Sequence, residues 1–224
     1  MIKGTISLYA EVLAETGQAL LRGPFVWLFL LVLPVVLSVA GALLSPLGII
    51  GGFIYGFGSV YLIGAYLYGV GQSVSQRTAL GVAIVRESMG HHVWDVMGIA
   101  FLHWMLSLAL QFGTLPDVLP KLIAIVTFIL FNPWPEVIHS DRAQGSMDIL
   151  VRAFRFMQSN GPEWVVPHLL FFVLGFGTMM VPGDLSSFVL GAGLVLHPVM
   201  VFRAVLYRKL SSGSRRARAW KSRF

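Results

Sequence analysis

The sequence predicts an all-α polytopic membrane protein: six transmembrane helices in three hairpins, each preceded by an amphipathic helix lying in the membrane interface. Three observations lead there. The 224 residues are 56% apolar and 12% charged, with a mean hydropathy of +0.78, whereas a soluble domain carries about 25% charged residues. The apolar residues gather in long uncharged runs of spanning length. Those runs recur in three similar units, about 1–71, 72–140 and 141–210, and a basic tail, 211–224, follows them. Residues 1–210 thus read as a single membrane domain.

The first unit opens on Ile2 to Arg22. Ile2, Ile6, Tyr9, Leu13 and Leu20 recur at helical spacing, with Ser7, Glu11, Glu15 and Gln18 on the other face, the pattern of a helix in the interface plane. The segment does not read as a cleavable signal peptide, because about twenty mixed residues precede the first apolar run. Gly23-Pro24 ends it. Phe25 to Leu44 is uncharged and, at about 30 Å as a helix, long enough to cross. Ser45-Pro46 marks a turn, and Leu47 to Gly71 crosses back.

The second unit repeats this with Gln76 to Met89 as the amphipathic segment, Gly90 as its end, His92 to Phe112 as a span, Pro116 at the turn and a return from Leu119. The third runs from Ser146 to Ser159, with Met147, Leu150, Phe154 and Met157 on one face and an Asp148/Arg152 pair on another. Asn160-Gly161-Pro162 is expected to stop that helix. Trp164 to Val181 then crosses, Pro182-Gly183 turns, and Phe188 to Leu206 returns. A Gly closes each amphipathic segment and a Trp follows: Gly23/Trp27, Gly90/Trp94 and Gly161/Trp164. The Gly frees a helix end to turn and the Trp suits the membrane interface. The Gly spacings are 67 and 71 residues, and those of the hairpin prolines Pro46, Pro116 and Pro182 are 70 and 66, which marks internal repetition.

Charge placement gives the orientation. With six spans, only Lys121 of the sixteen Lys and Arg falls in the loops after the first, third and fifth. The positive-inside rule then puts both termini in the cytoplasm, in a bacterial inner membrane. The tail holds Arg215, Arg216, Arg218, Lys221 and Arg223, a composition suited to anionic lipid headgroups as well as to fixing topology. Nucleic acid is the poorer match for a tail tethered to a membrane.

Candidate chemistry is sparse. The apolar run of the fourth span ends at Phe131, and Pro133 and Pro135 then remove two backbone donors. Carbonyls freed at membrane depth are tolerated only inside protein or beside water. A matching break is expected in the sixth span at Leu196-His197-Pro198. Asn132, Glu136 and His197, with His103 deep in the third span, are therefore the candidate polar recess. His91, His92 and Asp95 look like metal ligands at first sight, but a site needs three or four ligands and a second shell. They read as interfacial polar residues, so neither a metal nor a cofactor is expected. No HExxH motif, nucleophile elbow or phosphate-binding Gly loop occurs. The absence of cysteine removes disulfides and thiolate metal sites. In the second span Gly48, Gly52, Gly56 and Gly64 form a small-residue stripe suited to close helix approach, within the chain or to a partner.

Pro135-Glu136-Val137-Ile138 followed by Ile149-Leu150-Val151-Arg152-Ala153-Phe154-Arg155-Phe156 resembles a group of bacterial six-span membrane proteins. The group includes the membrane domain attached to some glycerophosphodiester phosphodiesterases. In that group the fourth span ends in a Pro/acid stretch, and an amphipathic helix precedes the fifth. Ala153 or Phe154 stands near the place of the group's usual Ser. The resemblance implies a helical membrane domain, often an accessory to something else, and brings no phosphodiesterase activity to this chain.

The expectation is a non-enzymatic accessory or scaffold subunit of a membrane complex or lipid-linked process, with membrane lipids and a membrane protein, or a second copy, as partners. The alternative is a small transporter or lipid carrier using the fourth and sixth helices.

Overall fold

A computed structural model describes residues 2–76, 83–112, 118–140, 143–179 and 185–212, with side chains except those of 2–4 and 170–194. All regular structure among these residues is helical: α1 Ile2–Arg22, α2 Pro24–Leu44, a 3-10 turn Ser45–Leu47, α3 Gly48–Ser75, α4 Ala83–Ser88, α5 Val93–Phe112, α6 Val118–Phe131, α7 Trp134–Ser140, α8 Ser146–Met179 and α9 Leu185–Ser211. Among the described residues, three segments are long and apolar enough to cross a membrane: Pro24–Ser75, Val93–Phe112 and Val118–Ser140.

The amphipathic α1 begins and ends where its pattern does. Gly23 interrupts the helix and Pro24, at the first position of α2, gives up an N–H that a helix start leaves unpaired anyway. The 3-10 turn and Gly48, at φ +56°, reverse the chain, and only glycine takes that conformation freely. α2 and α3 then run antiparallel, with Val26 against Gly69 and Tyr55 against Gly41. The second unit is assembled differently. α5 packs on α3 and on α8, while α6 packs on α8.

The core sits at one end of the molecule. It gathers Val12 and Ala19 of α1, Val26 and Leu30 of α2, Val70 and Val74 of α3, Ile149 and Ala153 of α8, and Val201 to Leu206 of α9. The other ends of α2, α3, α5 and α6 are bare apolar surface, from Val35 and Leu43 through Ile49 and Phe53 to Phe101, Trp104 and Ile125. α1 carries two apolar faces. Val12, Thr16 and Ala19 point into the core, whereas Ile6 and Leu13, on the face expected to lie in the membrane interface, point outward with Leu21.

Two expected helix breaks do not occur. α8 runs straight through Asn160-Gly161-Pro162, and α9 through Leu196-His197-Pro198. Each internal proline frees one carbonyl four residues back, and in α8 these have other outlets. Pro162 frees that of Gln158, an exposed residue. Pro167 frees that of Glu163, which accepts the Tyr9 hydroxyl of α1 at 2.8 Å. The third marker pair therefore differs from the others: Gly161 is helical, and Trp164, 1% exposed, is a core residue and not an interface anchor. The turns at Pro116 and Pro182-Gly183, residues 77–82 of the second amphipathic segment and the basic tail lie outside the described residues.

Candidate functional site

The break expected after Phe131 is real and is filled from two other helices. α6 stops at Phe131 and α7 restarts at Trp134, because Pro133 and Pro135 cannot donate into a continuous ladder. The Glu136 amide bonds to the Pro133 carbonyl at 3.1 Å. The Asn132 carbonyl accepts Arg203 Nη2 of α9 at 2.8 Å. The Asn132 side chain accepts Trp164 Nε1 of α8 at 3.1 Å.

Arg203 organises this centre. Its Nε donates to Glu136 Oε1 at 2.7 Å and its Nη2 to Glu136 Oε2 at 2.9 Å, a two-pronged contact that fixes geometry as well as charge. Glu136 is fully buried. The guanidinium lies 5.4 Å from the Trp164 ring centroid, within cation–π range. Trp164 meets Phe156 edge-on at 5.2 Å and Tyr207 at 6.3 Å. The His168 ring stacks on Trp164 at 4.4 Å. Three helices are thus joined by polar contacts whose donors and acceptors match.

The four candidate recess residues do not share one site. Asn132 and Glu136 belong to the Arg203 centre. His197, fully buried, instead shares a hydrogen bond between its Nδ1 and the Tyr66 hydroxyl, 3.0 Å away, and lies 5.7 Å from the Trp27 ring. It bridges α9 to α3 and α2. His103 stands apart on the exposed face of α5. Arg203 was not among the candidates, although the sequence carries a signal for it: an arginine inside the sixth apolar run, where a charge demands a partner.

A second set of polar contacts joins α1 to the ends of α3 and α9. Lys209 Nζ reaches Glu11 and Glu15, each at 2.6 Å, and Arg208 Nη2 reaches Glu15 at 2.8 Å. Arg208 also donates to the Val74 carbonyl at the end of α3. Arg22, ending α1, donates to Gln76 O at 3.4 Å and Gln18 Oε1 at 3.1 Å. Cations placed on the carbonyl ends of helices satisfy groups the helices leave open. Burial opposes ionisation of Glu15, but hydrogen bonds from Lys209 and Arg208 outweigh it and hold the carboxyl below its ordinary 4.5. Burial also works against the Lys209 charge, and the two glutamates overcome it, raising the ammonium above its ordinary 10.5. A cleft of about 700 Å³ opens here, lined among others by Glu15, Gln18, Arg22, Gln76 and Arg208. None of Asn132, Glu136, His103 and His197 lines it.

The glycine stripe divides in two. A side chain on Gly64 would start 2.6 Å from the His91 carbonyl, so this glycine serves packing within the chain. At Gly48, Gly52 and Gly56 an added carbon meets nothing within 4 Å. Among the described residues no three His, Asp or Glu side chains converge as a metal ion requires. His91 and His92 stay in the turn before α5 and Asp95 in its first turn, with His92 Nδ1 3.6 Å from Asp95.

Set against family models, curated proteins and solved structures, the chain matches none.

Proposed function

We propose that this chain is a six-span protein of a bacterial inner membrane, three hairpins with both termini in the cytoplasm, working as a non-enzymatic accessory or scaffold subunit of a membrane complex or lipid-linked process. One observation carries the reading. The most apolar eighteen-residue windows of Pro24–Ser75, Val93–Phe112 and Val118–Ser140 bury only 17%, 17% and 11% of their residues within the chain. The helices are fastened at one end and leave their apolar lengths to lipid and to other helices. In a membrane, lipid already satisfies apolar surface, so association needs close van der Waals fit. Gly48, Gly52 and Gly56 offer that fit on α3.

The orientation draws support from where the cations gather. Arg22, ending α1, and Arg208 and Lys209, in the last turn of α9, engage the end of α3 and the glutamates of α1, so the basic ends of α1 and α9 gather beside the end of α3. The resemblance to the membrane domain of glycerophosphodiester phosphodiesterases agrees with an accessory role.

The carrier reading has less behind it. Glu136 and Asn132 are already engaged by Arg203 and Trp164, and His103 does not join them. The test is association in the native membrane. Gly52→Leu and Gly56→Leu are expected to abolish chemical crosslinking to a partner or second copy while insertion stays normal. Unchanged crosslinking in both would remove the reading.

A further inference from the structure

The cleft of about 700 Å³ where α1, α3 and α9 meet has an arginine from each of two helices in its lining, Arg22 of α1 and Arg208 of α9. Both are anchored to the end of α3. Arg208 donates to the Val74 carbonyl, and Arg22 to the Gln76 carbonyl two residues on. The local sequence brings Arg22 there. It is the last residue of α1, and the Gly23 that follows has no side chain, so α3 comes close enough for the Ser73 hydroxyl to fill that space. Gln18, Ser75 and Gln76 add neutral polar groups to the lining.

The carboxylates of this joint are engaged by other cations. Glu15 turns one oxygen to Arg208 at 2.8 Å and the other to Lys209 at 2.6 Å, and Glu11 also takes Lys209 at 2.6 Å. Two acids thus balance two bases, and Arg22 is left over. Its contacts are neutral, the Gln76 carbonyl at 3.4 Å and the Gln18 amide oxygen at 3.1 Å, and among the described residues no carboxylate pairs with it. Residues 77–82, next in the chain, contain no acid. The carbonyl end of α3, which on its own disfavours an anion, is covered by the same two guanidiniums. The cleft therefore lacks one negative charge, and it presents two forked donors of the kind that receive phosphate oxygens.

We infer that Arg22 and Arg208 form a binding site for a phosphate group of single negative charge, carried by a phospholipid headgroup or by a soluble phosphate ester. The site is separate from the basic tail. It rests on the membrane orientation proposed above and not on the accessory role. Arg22 precedes the apolar run of α2, and Val74 to Gln76 follow that of α3, which sets the cleft at headgroup depth on the cytoplasmic face, where anionic lipid is met. A phosphodiester supplies the one missing charge, and a cleft of this volume admits a glycerol phosphate. Beside Arg22, Leu21 is 83% exposed, apolar surface that an acyl chain covers and a soluble ester does not.

The test is native mass spectrometry of the full chain, stripped of lipid in a neutral detergent and titrated with dioctanoyl phosphatidylglycerol, with dioctanoylglycerol, which has the same tails and no phosphate, or with inorganic phosphate. Two variants leave the tail untouched. Arg22→Gln removes the unmatched charge, and Gln18→Glu supplies Arg22 with a carboxylate at i,i+4, so that the chain fills its own vacancy. Both should melt with the unaltered chain and bind phosphatidylglycerol about tenfold more weakly, the effect of one charge-assisted contact. Dioctanoylglycerol should bind all three chains alike. Inorganic phosphate that displaces the lipid at equal concentration assigns the site to soluble phosphate esters, and displacement only at far higher concentration assigns it to the headgroup. Phosphatidylglycerol bound equally by all three chains, or no better than dioctanoylglycerol, overturns the site while leaving the membrane reading intact. Release of the chain from membranes by alkaline carbonate overturns both.

Discussion

Arg203 of α9 grips Glu136 of α7 through two parallel hydrogen bonds, at 2.7 and 2.9 Å, with Glu136 fully buried. Two helix segments far apart in sequence are joined by a contact that only matched charges can make. Removing one partner leaves the other charge buried and alone, which costs about 3–5 kcal/mol. Glu136→Ala and Arg203→Ala are each expected to lose that much in denaturant-induced unfolding followed in mixed micelles. The double variant Glu136→Leu/Arg203→Met should lose far less than the two single losses combined, since a buried pair replaced by apolar groups is often nearly neutral. A double variant as damaged as the two together would mean the residues act independently.

Trp164 contributes a ring and a hydrogen bond that separate substitutions can resolve. Trp164→Phe keeps the aromatic packing on Phe156 and Tyr207 and loses the bond to Asn132. Its expected cost is about 1 kcal/mol, with more if Asn132 stays unpaired. Trp164→Ala should cost about 3–5 kcal/mol. Equal effects of the two would show that the Asn132 contact is the main role.

The two kinds of glycine on α3 predict opposite outcomes. Gly64→Ala forces a carbon against the His91 carbonyl and is expected to destabilise the fold by about 1–3 kcal/mol. Gly52→Leu meets open space, so thermal stability in detergent should hold while association is lost. Loss of stability at Gly52 would place that glycine in internal packing.

The clamp between α1 and α9 has a pH window that follows from its signs. Glu15 is more acidic folded than unfolded, so its contribution is present above its ordinary 4.5 and fades as the pH falls through the lower folded value. Lys209 is more basic folded than unfolded, so its contribution is complete below its ordinary 10.5 and fades as the pH rises past that. The groups are partly exposed, so each pair contributes about 0–1 kcal/mol. Limited proteolysis of α1 should be slowest between these limits and accelerate at both extremes. Lys209→Gln should flatten the acid side.

Much of the fold was legible because helical period and hydropathy act locally. α1 spans Ile2–Arg22 as its pattern requires, and α2 starts at the Gly23-Pro24 signal. Punctuation inside long helices was less legible. Asn160-Gly161-Pro162 carries every local sign of a stop, yet α8 continues, because Gln158 is exposed and Tyr9, remote in sequence, satisfies the carbonyl freed by Pro167. Asn132 and Glu136 were legible from the Pro133/Pro135 break. Their partner Arg203 was not picked out, since pairing across about seventy residues leaves no local pattern. The second apolar face of α1 left no clear pattern: Val12, flanked by Glu11 and Leu13, gives no sign in periodicity alone that it is buried in the core.

The proposed association in the membrane can be read by native mass spectrometry of the protein, gently extracted from its own membrane. A second chain, or a second copy of this one, is expected at fixed stoichiometry, and is expected to be lost in Gly52→Leu. A monomer that carries a bound small molecule or lipid and no protein partner, unchanged by Gly52→Leu, would contradict it.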